Sequence, residues 1–243
     1  MILENVNYVE AFSISDAWRD VMKLCMEKGI RYKIANASEL NEYGSYIGQY
    51  RVQLPYVMIR IMAPHIRDSF TPENCIFRPT DTYKVGQYFA EYLMNPVLKP
   101  NEIYRYSTWI AAQIEDIIKA LIISKGKTNQ ATISVGDSSC TKMSDPPCLR
   151  VISFKAIDKM LQVSVFFRSW DLICGFPENL SGIQLLKEYV LDIVNEQLVE
   201  DDKLIDYEMY AYSDGLHIYS QYFDIVKSLC YLSENALKKM EIE

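Results

Sequence analysis

The sequence predicts an α+β fold, a mixed sheet flanked by helices, with residues 1–243 as one domain. Three observations carry this. Spacings of three and four residues dominate the first half, and the period shifts toward two in the second. Helical and strand segments are interspersed without regular strand–helix–strand alternation, which disfavours a parallel doubly wound sheet. The 243 residues are 49% hydrophobic and 23% charged, enough to enclose one core and unlike a disordered chain.

The elements follow in order. Ser15 to Gly29 predicts a helix, with Ala17, Val21, Leu24 and Cys25 on one face, Ser15 as N-cap and Gly29 as stop. Asn36 to Gly48 is polar and loop-like. Tyr56 to Met62 is β-branched and apolar, and is bounded by Pro55 and Pro64, so it reads as a strand. Tyr83 to Leu93 is helical by spacing. Ile103 to Ile123 predicts one long helix, because Trp109, Ile110, Ile114, Ile117, Ile118 and Leu121 recur at three and four, and Gly126 ends it. Ala131 to Val135 and Leu149 to Phe154 predict short strands. Met160 to Arg168 alternates, with Leu161, Val163, Val165 and Phe167 on one face and Gln162, Ser164 and Phe166 on the other. Leu180 to Leu198 predicts a buried helix, Ile205 to Tyr212 a strand, and Tyr219 to Leu237 a closing helix.

Composition excludes several classes. A net charge of −7 argues against sequence-independent nucleic-acid binding, while leaving room for a small basic pocket that holds one anion. No apolar run reaches the roughly 18–20 residues a bilayer requires. Met1 to Ser15 carries Glu4 and Glu10 and no basic residue, so it does not read as a signal peptide. Six cysteines without a C-x-x-C pair, and only His65 and His217, argue against a metal site. Reduced thiols and a cytoplasmic location are the expectation.

Candidate chemistry gathers around Asp145-Pro146-Pro147-Cys148. Two prolines fix the backbone before the thiol, which suits a nucleophile and equally an inert cysteine at a turn. Arg168 and Ser169 offer a forked cation and a hydroxyl suited to phosphate, or Arg168 pairs with Asp171 at the surface. Asn179 caps a helix or presents a carboxamide to a base edge. Asp214 to Tyr219 contains His217, the one histidine of the C-terminal half.

The order PPC, RSxD, GxPxN, HIY resembles the folate-dependent thymidylate synthase family, and the wording DPPCL and GFPENL resembles its divergent archaeal-type branch. The resemblance is specific from about Thr128 to Val226. It implies a thymidylate synthase-like mixed sheet that pairs two copies as a homodimer. It also implies C5 methylation of dUMP with 5,10-methylene-tetrahydrofolate as co-substrate. By resemblance Cys148 is the nucleophile that adds to pyrimidine C6, with Arg168 lowering its pKa. Arg168 and Ser169 hold the phosphate, and Asp171 holds the pterin. Asn179 reads O4 and N3, His217 and Tyr219 meet the 3′-hydroxyl, and Glu91 is the catalytic glutamate. A solvated helix glutamate is the other reading of Glu91.

The sequence departs from the family in places. Asn129-Gln130 stands where two consecutive arginines serve the partner's phosphate site, leaving Lys125, Lys127 or Arg51 as replacement cations. Leu149 and Glu178 replace the usual His and Phe, and no folate-closing C-terminal segment is recognisable. Two alternatives stay open. One is a hydroxymethylase of the same fold acting on dUMP or dCMP, in which water replaces hydride. The other is a catalytically silent nucleotide-binding relative.

Overall fold

Strand alternation in Met160–Phe167 buries Leu161, Val163, Val165 and Phe167, as expected from the spacing. The computed structural model of the chain describes residues 6–34, 50–71, 73, 75, 77–100 and 102–230, so the segment from Asn36 to Gly48 lies outside the described residues. Met160–Phe167 (β7) is a central strand of a six-stranded mixed sheet. The order is Tyr8–Ala11 (β1), Val57–Ile61 (β4), Ile205–Ser213 (β9), β7, Leu149–Ile157 (β6) and Thr132–Ser134 (β5). The pairs β1–β4 and β9–β7 are parallel, and the others antiparallel. A second sheet runs Ile30–Lys33 (β2), Tyr50–Leu54 (β3), Leu216–Tyr219 (β10) and Trp170–Asp171 (β8). The architecture is mixed α+β.

Helices cover one face. Ile14–Lys28 (α1) packs against strands of both sheets, and its Trp18 indole donates to the Leu172 carbonyl at 2.7 Å. Its N-cap is Ser13 rather than Ser15, because the Ser13 side chain and Asp16 exchange hydrogen bonds with each other's backbone N–H. Thr82–Gln87 (α2) runs into a π-helical turn at Tyr88–Leu93. The long helix expected over Ile103 to Ile123 is instead two, Ser107–Ile110 (α3) and Ile114–Ser124 (α4). Gln113 causes the break. Its amide donates to the Trp109 and Ser134 carbonyls and accepts from the Ser134 N–H, so it ties the chain to β5.

Gly175–Gln197 (α5) begins five residues before the expected start and buries Leu180, Ile183, Leu186, Val190 and Val194. Phe223–Cys230 (α6) follows a single 3₁₀ turn; the rest of the expected closing helix lies outside the described residues. The opposite face of the large sheet stays half-exposed at Met58, Gln162, Ser164, Phe166 and Tyr212. There Arg60 pairs with Glu208 at 2.5 Å and Glu10 at 2.9 Å.

Two strands cross between the sheets at the same place. β7 passes into β8 through Arg168 and Ser169, and β9 passes into β10 through Asp214 and Gly215. The crossings touch: the Trp170 N–H donates to the Gly215 carbonyl at 3.1 Å. A Cβ on Gly215 would lie 2.6 Å from the Arg168 carbonyl oxygen and 3.2 Å from the Ser169 Cα. Backbone atoms there cannot retreat without breaking the crossing. Gly215→Ala is therefore expected to destabilise the fold by about 1–3 kcal/mol. The check is a lower urea midpoint at unchanged m.

Candidate active site

Antiparallel pairing sets Cys148 beside Arg168. The strand β6 starts immediately after Cys148 and β7 ends immediately before Arg168, whose N–H donates to the Cys148 carbonyl at 2.9 Å. The Arg168 side chain then folds back over the proline pair. Its Nε donates to the Pro147 carbonyl at 3.1 Å, and Nη2 donates to the Pro146 carbonyl. Prolines lack N–H groups but keep their acceptors, so two consecutive carbonyls receive a planar guanidinium fork. Nη2 also lies 3.8 Å from Cys148 Sγ and 3.6 Å from Asp145 Oδ1. The surface pairing of Arg168 with Asp171 is absent among the described contacts.

The Cys148 thiol is half-buried. Burial pushes its pKa up, Arg168 pulls it down, and Asp145 and Asp171 push it up again. The net direction is upward. Arg168 therefore acts in the expected sense, but desolvation outweighs it. Cys25 differs: its thiol is sealed in the core and pushed up to about 12.

Four tyrosines connect Cys148 to Asn179. Tyr106 OH accepts from the N–H of Leu149 at 3.3 Å. The Tyr106 ring meets Tyr104 at 6.1 Å and Tyr92 at 5.1 Å, and Tyr92 stacks on Tyr88 at 5.4 Å. Burial, before all other causes, raises the pKa of all four, that of Tyr92 to about 12. They are neutral phenols at physiological pH. In a chain with 18 tyrosines, no sequence signal separated these four from the rest.

Asn179 lies within the first turns of α5, so it is not the N-cap. Asp171 does the corresponding work: its Oδ1 accepts from the N–H groups of Ile173 at 2.8 Å and Cys174 at 3.4 Å. Asn179 Oδ1 accepts from Trp170 Nε1 at 3.1 Å, and Asn179 Nδ2 donates to Tyr88 OH at 2.9 Å. Gly175 lies against the same groups: a Cβ there would be in ordinary van der Waals contact with Asn179 Oδ1, Asp171 Cβ and Trp170 Cδ1.

His217 pairs in register with Asp171 across β8 and β10. Its Nδ1 lies 2.8 Å from the Gly215 carbonyl, and Nε2 is buried without a partner. Burial lowers its pKa first of all, helped by Arg51, while Gly215 and Asp171 oppose the shift. The imidazole is neutral. Nδ1 carries the proton toward Gly215, and Nε2 is left as an acceptor. Tyr219 meets the His217 ring edge-on at 4.8 Å, and Arg51 on β3 faces Tyr219 in register. Ser169 sits half-exposed at the crossing.

Other residues stand apart. The Glu91 carboxylate bonds Lys99 at 2.7 Å and Gln87 at 3.1 Å, and lines a hollow of about 250 Å³ with Tyr88, Tyr92 and Glu178. Among the described residues, no hydrogen bond or ion pair joins Glu91 to Cys148, Arg168 or Asn179. Lys125 pairs with Asp202 at 2.6 Å. Its neighbour Gly126 accepts from the Ala156 N–H at 3.0 Å, near the far end of β6 from Cys148. That end is about 26 Å away at roughly 3.3 Å per residue. Lys125 and Lys127 thus do not reach their own protomer's Cys148 site, because the length of β6 intervenes. Arg51 is the nearby candidate cation.

A thiol against a guanidinium, a carboxamide with fixed polarity and a neutral imidazole acceptor equip a site for nucleophilic attack on a polar ring. No protein-family model matches the chain. Among curated proteins it is similar to one described as "Putative thymidylate synthase" from Methanococcoides burtonii. The two are 28% identical over 192 residues, 76% of this chain and 81% of that protein. Proteins of the same description from Methanosarcina mazei and Methanosarcina barkeri are 28% identical over 117 residues and 30% identical over 89. They cover 48% and 37% of this chain, and 50% and 37% of their own lengths. These similarities support a thymidylate synthase-like enzyme.

The electrostatics give a direct test. Alkylation of Cys148 by iodoacetamide, with Cys148→Ala as the blank, is expected to follow a titration above the ordinary thiol value. Arg168→Gln removes the nearest positive charge and should move that profile to still higher pH. An unmoved profile would show that the guanidinium does not act on the thiol.

Proposed function

We propose that this protein is a thymidylate synthase-type methyltransferase converting dUMP to dTMP with 5,10-methylene-tetrahydrofolate. The observation that carries this reading is the Cys148 thiol 3.8 Å from the Arg168 guanidinium, which is itself locked on the Pro146 and Pro147 carbonyls. Similarity to proteins described as thymidylate synthases supports it.

In this reading the Cys148 thiolate adds to pyrimidine C6, and the C5–C6 electron pair moves toward C4 and O4. Arg168 stabilises the thiolate and, with Ser169 and Arg51, holds the nucleotide phosphate. Asn179 donates to O4, where negative charge develops, and accepts from N3–H. His217 Nε2 accepts from the sugar 3′-hydroxyl, with Tyr219 beside it. Neutral Tyr104 and Tyr106 order water near the reacting carbon. Asp171 suits the pterin, because backbone N–H groups fix one of its oxygens and a carboxylate keeps acceptor capacity on the other. The folate supplies the one-carbon unit and the hydride. Once the one-carbon unit is bonded to C5, loss of the C5 proton breaks its bond to the folate nitrogen and leaves an exocyclic methylene. That methylene takes the hydride as C5=C6 re-forms and the C6–S bond breaks, returning the Cys148 thiolate. Glu91 needs a turn of its side chain away from Lys99 to take a proton-handling role.

Pairing of two copies through the half-exposed face of the large sheet belongs to the same proposal. Phe166 and Tyr212 lie side by side there on neighbouring strands. Phe166→Glu would place a charge in that contact. Light scattering should give a dimer for the wild type and a monomer for this variant; a wild-type monomer at micromolar concentration ends the dimer proposal.

The decisive measurement is incubation with dUMP and methylene-tetrahydrofolate, with mass analysis of the nucleotide. A methyl gain is expected, and Cys148→Ala should abolish it while dUMP still binds. A hydroxymethyl gain, or no change, overturns the assignment.

A further inference from the structure

The side chains that hold Asn179 leave its carboxamide only half used. An amide oxygen has two lone pairs and an amide nitrogen two N–H groups. Trp170 Nε1 takes one lone pair at 3.1 Å, and Tyr88 OH takes one N–H at 2.9 Å. One acceptor and one donor remain. Their order is set by Trp170, because an indole N–H donates and never accepts. The oxygen must face Trp170, and the nitrogen must face Tyr88. Trp170 itself cannot turn away. It is 2% exposed and stacked between Phe167 at 4.1 Å and Phe176 at 4.6 Å.

We infer that Trp170 is a positioning residue that makes the site take a 4-keto pyrimidine and reject a 4-amino one. This rests on the nucleotide reading above. A pyrimidine whose C6 is held at Cys148 presents its N3–C4 edge in one sense only. Uracil offers an N3–H donor and an O4 acceptor, which match the remaining lone pair and N–H. Cytosine offers the reverse. A free carboxamide would rotate by half a turn and accept it. In this site that rotation sets the amide N–H groups against the indole N–H, and leaves a buried donor without an acceptor. An unpaired buried donor lowers affinity by about 5- to 150-fold.

The test is direct binding of dUMP and of dCMP to the full chain by calorimetry. Trp170→Phe removes the N–H and keeps a ring in the aromatic stack. Tyr88→Phe is the control, since it removes a hydroxyl that can donate or accept and so serves either orientation of the amide. A merely structural role would weaken both nucleotides alike and leave their ratio unchanged. The expected result is that the dUMP preference of the wild type narrows by about 5- to 150-fold in Trp170→Phe. It should be kept in Tyr88→Phe, where the indole still sets the order. Where Trp170→Phe fails to fold, the wild-type ratio decides: equal affinity for dUMP and dCMP overturns the inference. An unchanged preference in folded Trp170→Phe overturns the role of Trp170 while the nucleotide reading stands. A wild type that binds neither nucleotide overturns the reading and the inference together.

Discussion

The fork of Arg168 on the Pro146 and Pro147 carbonyls is the interaction on which the candidate site depends. It closes the gap between the loop entering β6 and the end of β7. It also commits Nε and Nη2 to backbone carbonyls, which holds the cation between Cys148 Sγ at 3.8 Å and Asp145 Oδ1 at 3.6 Å. A lysine in the same position has one rotating head and no plane, and would hold neither two carbonyls nor a fixed distance to sulfur. The prolines thus act twice. They stiffen the approach to the thiol, and they present acceptors with no N–H of their own to satisfy.

Around that fork the backbone itself brings the remaining groups in. Both connections between the two sheets pass the same point, and Gly215 permits the contact. One crossing carries Arg168, Ser169 and Asp171, and the other carries His217 and Tyr219. Residues 46 to 51 positions apart therefore share one site without any loop of their own having to fold over it. The cost of this economy is a crowded backbone and a histidine deprived of water. Its neutral state follows from that burial, and with it the acceptor character of Nε2.

Polarity at Asn179 has the same origin. The carboxamide owes its orientation to a tryptophan held by packing, so the order of its acceptor and donor is set by the aromatic core. The tyrosines play a comparable part on the other side. Burial keeps them protonated, and Tyr106 and Tyr88 accept from Leu149 N–H and Asn179 Nδ2 as neutral phenols.

The sequence by itself determined the α+β class, the alternation of β7 with its two faces, the stop of α1 at Gly29 and the order of the motifs around Cys148. Each is a local matter of period, proline, glycine or spacing. Position in space was decided by tertiary contact. Apolar recurrence from Ile103 to Ile123 described one helix, but Gln113 found partners on β5 and split it. Asn179 looked like a cap until Asp171 took the backbone N–H groups and α5 began earlier. Lys125 and Lys127 stood close to the motif in sequence, yet the length of β6 separates them from Cys148. Glu91 sat on a helix as expected, and Lys99 fixed which way it turned. The four tyrosines were invisible because nothing local distinguishes a phenol at a site from one on a surface. Net thiol acidity was likewise beyond the sequence, since it is a balance between burial and one guanidinium that only the folded geometry weighs.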